Sequence, residues 1–280
     1  MNFTYQASKI SYEVYGESGP WIVCIHGLAS TKLRWYNFAK NFKNSFQILI
    51  IDLPGHGESD YVKGFSYSLE EYSNVIEALM MSLSIEKSTV IGHSMGAQIS
   101  VEFANLFKSR VESLVLVSCG GIEKYSNFEK FSILIKAKGL QLLTNFPFLI
   151  KWIFRKGIPT WIPISTKMRR DFSVVAKKIS KQNFTDLMIK SSLNLLFHNT
   201  IEQLGKLNIP MLFCYGKRDG YIPNMKFHQI AIEEVLENAL KANKKAKGSI
   251  FLKSGHRPHV REPQIFHSKV REFLINLEKG

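Results

Sequence analysis

The chain has 280 residues, 45% of them hydrophobic and 21% charged, which suits one large domain or a core domain with an insertion and does not indicate disorder. Its formal net charge of +14 is compatible with nucleic acid, an anionic membrane surface or an acidic partner. The N-terminus lacks the basic and apolar segments of a signal peptide, and no run reaches the roughly 18 apolar residues of a spanning helix, so we expect a cytoplasmic protein.

Short apolar runs alternate with helical patterns over most of the chain. The predicted strands are residues 10–15, 21–25, 47–51, 89–91, 114–117, 211–215 and 249–252. The predicted helices are residues 69–83, 96–107, 227–242 and 263–277. Near-continuous runs of β-branched residues are typical of strands that are buried on both faces. The alternation therefore predicts an α/β fold with a mostly parallel sheet and helices on both faces.

Residues 121–200 interrupt this alternation. They contain no predicted strand, only helical patterns separated by Pro147, Pro159 and Pro163, and the strand–helix alternation resumes at Ile209. We predict a helical cap at 121–200, inserted into a core formed by residues 1–120 and 201–280.

Three cysteines, Cys24, Cys119 and Cys214, lie inside or at the end of apolar runs. They cannot all pair with one another, so we expect buried, reduced thiols. No Cys/His spacing typical of a zinc site accompanies them, and no metal is predicted.

The strongest motif is the G-x-S-x-G sequence of residues 92–96, which lies between a predicted strand and a helical pattern. A strand that turns sharply into a helix forces the serine into strained backbone angles, and glycines two residues before and after it leave room for the turn. The hydroxyl is then exposed at the carboxyl end of the sheet, where the helix N-terminus favours developing negative charge. The motif predicts Ser94 as a nucleophile, with His93 packed beside the strand.

A nucleophilic serine needs a base, and the base needs an acid that orients it. After a strand–serine–helix turn of this kind, the acid comes before the histidine in the chain. Asp219 follows the strand at 211–215 and His256 follows the last strand, so both are predicted at the sheet edge to which Ser94 points. His259 is the competing base. Asp52 is a weaker alternative for the acid because it precedes the nucleophile.

The oxyanion of an acyl-transfer intermediate needs two backbone N–H donors. Met95, the residue after the nucleophile, is predicted to supply the first. The second is predicted in the loop after the strand at 21–25, with Leu28 as the donor and its side chain free to line the substrate pocket.

These motifs resemble those of the α/β-hydrolase superfamily over nearly the whole chain. The matching segments are residues 26–27, the DLPGHGES block at 52–59, the GHSMG turn at 92–96, residues 216–219 and residues 255–263. GHSMG and GHRPH resemble the esterase, lipase and carbon–carbon hydrolase branch, which implies a cofactor-free serine hydrolase. The interval between Asp219 and His256 is long for this family, and we attribute it to a surface helix that extends through the Lys-rich residues 241–248.

The predicted cap is strongly basic. Residues 121–200 hold fourteen Lys and Arg against four Asp and Glu, a formal excess of +10 out of the chain's +14. The candidate basic patch comprises Lys151, Arg155, Lys156, Arg169 and Arg170, and the candidate substrate contacts between them are Trp152, Phe154 and Trp161. An ordinary amphipathic cap has the same composition.

Two binding roles for the cap remain open beside that ordinary one. It could rest on an anionic membrane surface, or it could steer an acidic acyl carrier protein, as the resemblance to pimeloyl-acyl-carrier-protein methyl ester esterases implies. Nucleic acid is not expected, since no binding module accompanies the charge.

Together these features predict a serine hydrolase that cleaves carboxylic esters with an apolar acyl portion through an acyl-enzyme. The alternatives are a pimeloyl-acyl-carrier-protein methyl ester esterase, a membrane-surface lipase or lysophospholipase, a carbon–carbon bond hydrolase and a non-enzymatic receptor.

Overall fold

A computed structural model describes residues 1–123, 126–129, 131–132, 134–135, 181–222 and 230–277. Within these ranges eight strands form a sheet in the order β1-β2-β4-β3-β5-β6-β7-β8. The strands are β1 (Asn2–Tyr5), β2 (Ser8–Tyr15), β3 (Trp21–Ile25), β4 (Gln47–Ile51), β5 (Ser88–His93), β6 (Val111–Val117), β7 (Met211–Gly216) and β8 (Ala246–Phe251). The α-helices of the described residues with assigned bounds are α1 (Tyr36–Phe42), α2 (Leu69–Ser82), α3 (Met95–Leu106), α4 (Lys181–Phe197), α5 (Thr200–Gly205), α6 (Ile232–Ala242), α7 (Pro258–Arg261) and α8 (Pro263–Leu277).

The sheet is mostly parallel and is covered on both faces. β1–β2 and β2–β4 pair antiparallel, and every other neighbouring pair is parallel. One apolar cluster joins the sheet to α2, α3 and α6, and a second joins it to α1 and α8. Each residue of β5 and β7 is buried, as expected of strands with helices on both faces. The structure confirms the predicted α/β fold.

The predicted helical extension through residues 241–248 is wrong. Helix α6 ends at Ala242, and β8 begins at Ala246, three residues before its predicted start. The buried amide of Asn243 donates from Nδ2 to the carbonyl oxygens of Leu204 (3.3 Å) and Leu207 (2.7 Å). Its Oδ1 accepts from the N–H of Lys245 at 2.9 Å. These bonds replace the next helical turn, so a turn and a longer strand occupy the interval.

Two short N-terminal features were not predicted. Strand β1 has only four residues, whose side chains are alternately exposed and half-buried. So short a strand leaves almost no hydrophobic pattern in the sequence. A 3₁₀ turn at Lys32–Trp35 leads into α1, and it buries a lysine side chain that sequence patterns place on the surface.

Most of the predicted cap lies outside the described residues. This holds for its candidate substrate contacts Trp152, Phe154 and Trp161 and for its basic patch Lys151, Arg155, Lys156, Arg169 and Arg170. The cap boundaries therefore stay a prediction. The C-terminal part of the segment is described as α4, and Asn194 Nδ2 donates to the carbonyl oxygen of Tyr67 at 2.9 Å.

Cys24, Cys119 and Cys214 are all buried, and none forms a disulfide. No helix among the described residues has the length and apolar character needed to cross a membrane.

Candidate active site

Ser94 occupies a strained turn between β5 and α3. Its backbone angles are φ 55° and ψ −117°, and a non-glycine residue with positive φ is uncommon. A Cβ added at Gly92 would lie 2.2 Å from the carbonyl oxygen of Gly96, and one added at Gly96 would lie 2.4 Å from that of Ile25. Glycine at both positions therefore lets strand, turn and helix approach closely enough to present the serine.

The structure brings Ser94, His256 and Asp219 together at the carboxyl ends of the parallel strands. His256 Nε2 lies 3.0 Å from Ser94 Oγ, and His256 Nδ1 lies 2.9 Å from Asp219 Oδ2. A carboxylate can only accept, so Nδ1 carries the proton and donates it to Asp219. Nε2 is then free to accept from the Ser94 hydroxyl.

The Asp219 carboxylate is held by several donors. Its side chain is fully buried, and Oδ1 accepts from the N–H groups of Tyr221 (2.9 Å) and Ile222 (3.2 Å). The loops that carry the acid and the histidine also pack directly together, since a Cβ at Gly216 would lie 2.1 Å from the carbonyl oxygen of Gly255. These contacts fix the orientation of the His256 ring.

The two competing residues lie elsewhere. Asp52 accepts from Lys32 Nζ at 2.9 Å and from the Lys32 N–H at 2.7 Å, so it belongs to a buried ion pair. His259 is buried against Trp35, with ring centroids 4.5 Å apart, and neither of its ring nitrogens has a hydrogen-bond partner among the described residues. Burial, with the nearby Arg257 charge, lowers the pKa of His259 to about 3.

The loop after β3 lies against the nucleophile turn. A Cβ added at Gly27 would lie 3.2 Å from Ser94 Cβ, which puts the Gly27–Leu28 peptide beside the serine. His26 Nδ1 donates to the Gly27 carbonyl oxygen at 2.8 Å, and His26 Nε2 accepts from the Leu53 N–H at 3.0 Å. Because N–H and C=O of a trans peptide point in opposite directions, this bond turns the Leu28 N–H away from His26.

Met95 is the first residue of α3. A backbone N–H at that position has no acceptor within its own helix and is available to an anion. Met95 and Leu28 are therefore placed on the two segments that flank Ser94, and their role as oxyanion donors stays a prediction.

Three polar side chains make contacts that were not predicted from the sequence. Lys32 holds the loop after β4, and His93 Nε2 lies 2.7 Å from the His256 carbonyl oxygen. Gln98 Nε2 donates to the Leu195 carbonyl oxygen (3.2 Å) and to Thr200 Oγ1 (3.0 Å), which links α3 to the end of α4 and to α5. The available signal was a polar residue inside the nucleophile motif for His93 and one two positions after the motif for Gln98.

Comparison with known proteins agrees with this fold. A family model described as the alpha/beta hydrolase fold matches residues 20–149, a range that includes Leu28, Ser94 and Met95. The structure resembles MGS-M2, an alpha/beta hydrolase enzyme from a Medee basin deep-sea metagenome library. The TM-score is 0.73 and the identity 21%, over 98% of this chain and 97% of that one. The chain has the α/β-hydrolase fold, and its N-terminal half matches the family model.

Two curated relatives of this chain show the range of named activities. The pimeloyl-[acyl-carrier protein] methyl ester esterase of Vibrio vulnificus is 24% identical over 275 residues, covering 95% of this chain and 98% of the relative. The 2-hydroxy-6-oxononadienedioate/2-hydroxy-6-oxononatrienedioate hydrolase 1 of Pseudomonas putida is 23% identical over 284 residues, covering 96% and 92%.

Proposed function

We propose that this hydrolase cleaves carboxylic esters with an apolar acyl portion and that Ser94 is its nucleophile. The observation that carries the proposal is the continuous hydrogen-bonded series from buried Asp219 through His256 to Ser94, with separations of 2.9 and 3.0 Å. A weakly acidic hydroxyl becomes a nucleophile only when a base within such reach takes its proton.

In the proposed mechanism, His256 takes the Ser94 proton as Oγ attacks the ester carbonyl carbon. The tetrahedral oxyanion accepts from the N–H groups of Met95 and Leu28. His256 then gives its proton to the leaving alkoxide, so the alcohol departs and an acyl-Ser94 ester remains. Water attacks this ester as His256 takes its proton, and His256 then returns that proton to Ser94 Oγ as the carboxylic acid is released.

Apolar side chains near the base support an apolar acyl portion. The Tyr221 ring centroid lies 5.1 Å from that of His256. Ile222, whose N–H donates to Asp219 Oδ1, adds an apolar side chain from the same loop. The apolar surface of an acyl chain bound against these residues would be removed from water when the ester group reaches Ser94.

The test is a chain-length series of p-nitrophenyl acyl esters, run together with labelling by a fluorophosphonate probe. Ser94→Ala should abolish both ester hydrolysis and probe labelling while the circular dichroism spectrum is unchanged. Ser109→Ala, a change at an exposed serine, should match the wild type in both assays. Asp219→Asn should lower kcat by roughly 10³- to 10⁴-fold, because an amide no longer selects the Nδ1–H form of His256. Ester turnover by Ser94→Ala within tenfold of the wild type would refute the assignment of the nucleophile.

A second candidate is an ester presented on an acyl carrier protein. The formal +10 charge of residues 121–200 favours it, as an acidic carrier would be steered to that segment. The relative from Vibrio vulnificus is named for such a substrate. One acyl methyl ester should therefore be compared free, in anionic vesicles and on carrier protein.

A preference for the carrier protein that falls steeply with added salt would support this candidate, and equal rates in all three forms would contradict it. If the probe labels Ser94 but no ester is hydrolysed, the ester assignment is wrong. A carbon–carbon substrate such as that named for the Pseudomonas putida relative would then be tried.

A further inference from the structure

His93, the residue before the proposed nucleophile, is buried at the end of β5 with only 5% of its surface exposed. Its Nε2 lies 2.7 Å from the main-chain carbonyl oxygen of His256. A carbonyl oxygen can only accept, so Nε2 carries the proton and donates it. The strand that ends in the nucleophile is thereby bonded to the main chain of the residue that would deprotonate it.

We propose that His93 is a positioning residue that holds His256 at hydrogen-bond distance from Ser94. This inference rests on the proposed function, because it assigns His93 a role in the same proton transfer. His93 acts through the backbone of His256 and does not itself contact the reacting atoms.

The loop that carries His256 is also held toward two other elements. Toward β7 it is held by the Ser254 carbonyl oxygen, which accepts from the Arg218 N–H at 2.9 Å. Toward α8 it is held by Glu262, which accepts from the Lys253 N–H at 3.1 Å and from the Ser254 hydroxyl. The bond from His93 joins this loop to β5, which determines the position of Ser94.

A neutral donor suits this position. Burial, reinforced by the neighbouring His259 and His256 rings, lowers the pKa of His93 well below its ordinary value. The ring centroids of His93 and His256 lie 5.0 Å apart, so a charge on His93 would oppose the positive charge that His256 acquires during the reaction. A neutral imidazole donates the hydrogen bond without this repulsion.

The neighbouring His259 provides a matched control. It is equally buried, and its ring centroid lies 4.7 Å from that of His93, but its ring nitrogens have no hydrogen-bond partner in the described part of the chain. Replacing either histidine by leucine removes an imidazole of similar size from the same apolar surroundings. Only the change at His93 also removes a bond to the base.

The experiment compares His93→Leu, His93→Gln and His259→Leu with the wild type in ester hydrolysis and in the rate of fluorophosphonate labelling. We expect His93→Leu to lower kcat and the labelling rate by about 10- to 100-fold with KM within about threefold, because small displacements of reacting groups have effects of this size. His93→Gln places an amide N–H near the original Nε2 and should recover rates within about threefold of the wild type. His259→Leu should stay within about threefold as well.

Equal loss in His93→Leu and His259→Leu, or no recovery in His93→Gln, would overturn the inference and indicate a packing role. If His93→Leu does not fold, His93→Gln is compared with His93→Asn, whose amide is too short to reach the carbonyl; equal rates in these two variants would also overturn it. A wild type that is not labelled at all would instead overturn the proposed function, so the two failures are distinguishable.

Discussion

At position 27 the absence of a side chain keeps the loop that carries Leu28 in contact with the nucleophile turn. A Cβ there would lie 3.0 Å from His93 Nδ1, 3.1 Å from the His93 carbonyl oxygen and 3.2 Å from Ser94 Cβ. Each of these distances is shorter than an ordinary van der Waals contact, so an added methyl group would push the loop and the turn apart.

Gly27→Ala should therefore lower kcat/KM at least about tenfold, since the Leu28 N–H would move relative to the developing oxyanion. The change in the midpoint of urea unfolding should be small. Gly205→Ala is the control, because its nearest neighbour would be the Ala242 carbonyl oxygen at an ordinary 3.7 Å. Full activity in Gly27→Ala would mean that the Gly27–Leu28 peptide does not serve the reaction.

Among the elements, the loop after β4 depends on a buried lysine in the 3₁₀ turn that precedes α1. Lys32 Nζ donates to Asp52 Oδ2 (2.9 Å), to Glu58 Oε2 (2.8 Å) and to Ser11 Oγ (2.9 Å), and its side chain is 2% exposed. Burial alone would lower the pKa of Lys32, but the hydrogen bonds and charges of Glu58 and Asp52 outweigh burial and raise the pKa above its ordinary value. The DLPGHGES block is thus held by a charge that lies outside it in the sequence.

Lys32→Met should destabilise the protein by about 3 kcal/mol, because the Asp52 carboxylate would stay buried without its cation. The main-chain N–H groups at positions 32 and 58 would still donate to Asp52 in this variant, which limits the loss of stability. Urea unfolding at neutral pH measures the difference. Lys206→Met, which removes an exposed i,i+4 pair with Glu202, should leave the midpoint unchanged. Equal midpoints for the two variants would contradict the role given to Lys32.

For the whole molecule, buried histidines predict a stability that depends on pH. Burial, with the nearby His26, lowers the pKa of His56 to about 3, and burial with Arg257 lowers that of His259 to about 3. Both groups have ordinary values of 6.5, so the unfolded chain binds more protons than the folded chain between these limits. The contribution of these two groups to the free energy of unfolding is therefore fully present above pH 6.5 and is lost as the pH falls toward 3.

We expect the free energy of unfolding to fall by at least about 4 kcal/mol between pH 8 and pH 5, because His56 and His259 each contribute about 1.4 kcal/mol per pH unit once the pH is below 6.5. Burial also lowers the pKa of His26, His93 and His267, which adds to the loss in the same direction. Urea titrations at several pH values in this window measure the slope. His259→Leu should remove about 2 kcal/mol of that loss, since its protonation site is gone. A free energy of unfolding that is constant from pH 8 to pH 5 would contradict the burial of these side chains.

The local features of this protein could be predicted from its sequence. The order of strands and helices follows from hydrophobic periodicity, which depends only on residues close together in the sequence. The turn at Ser94 follows from the spacing of Gly92 and Gly96, because the backbone conformation there admits no side chain at either position. Predicted ends shifted by several residues where a distant partner intervened, as at Asn243.

The choice among several acids and histidines could not be made from the sequence in the same way. Asp219 and Asp52 both follow strands, and His256 and His259 lie three residues apart. The structure separates them because β7 and β8 bring Asp219 to His256, whereas Asp52 meets Lys32 and His259 turns toward Trp35. Which of them take part in chemistry stays a prediction until the variants are measured.

The sequence by itself determined the α/β architecture and the strained serine turn, because both depend on periodicity and on steric limits within a few residues. Only the tertiary structure decided which polar groups meet: His93 bonds to a residue 163 positions away, and Lys32 bonds to one 20 positions away. Such pairs depend on how loops from separate strands converge at one edge of the sheet. The physical reason is that burial and hydrogen bonding are properties of the packed molecule, whereas periodicity and backbone sterics are properties of the local chain.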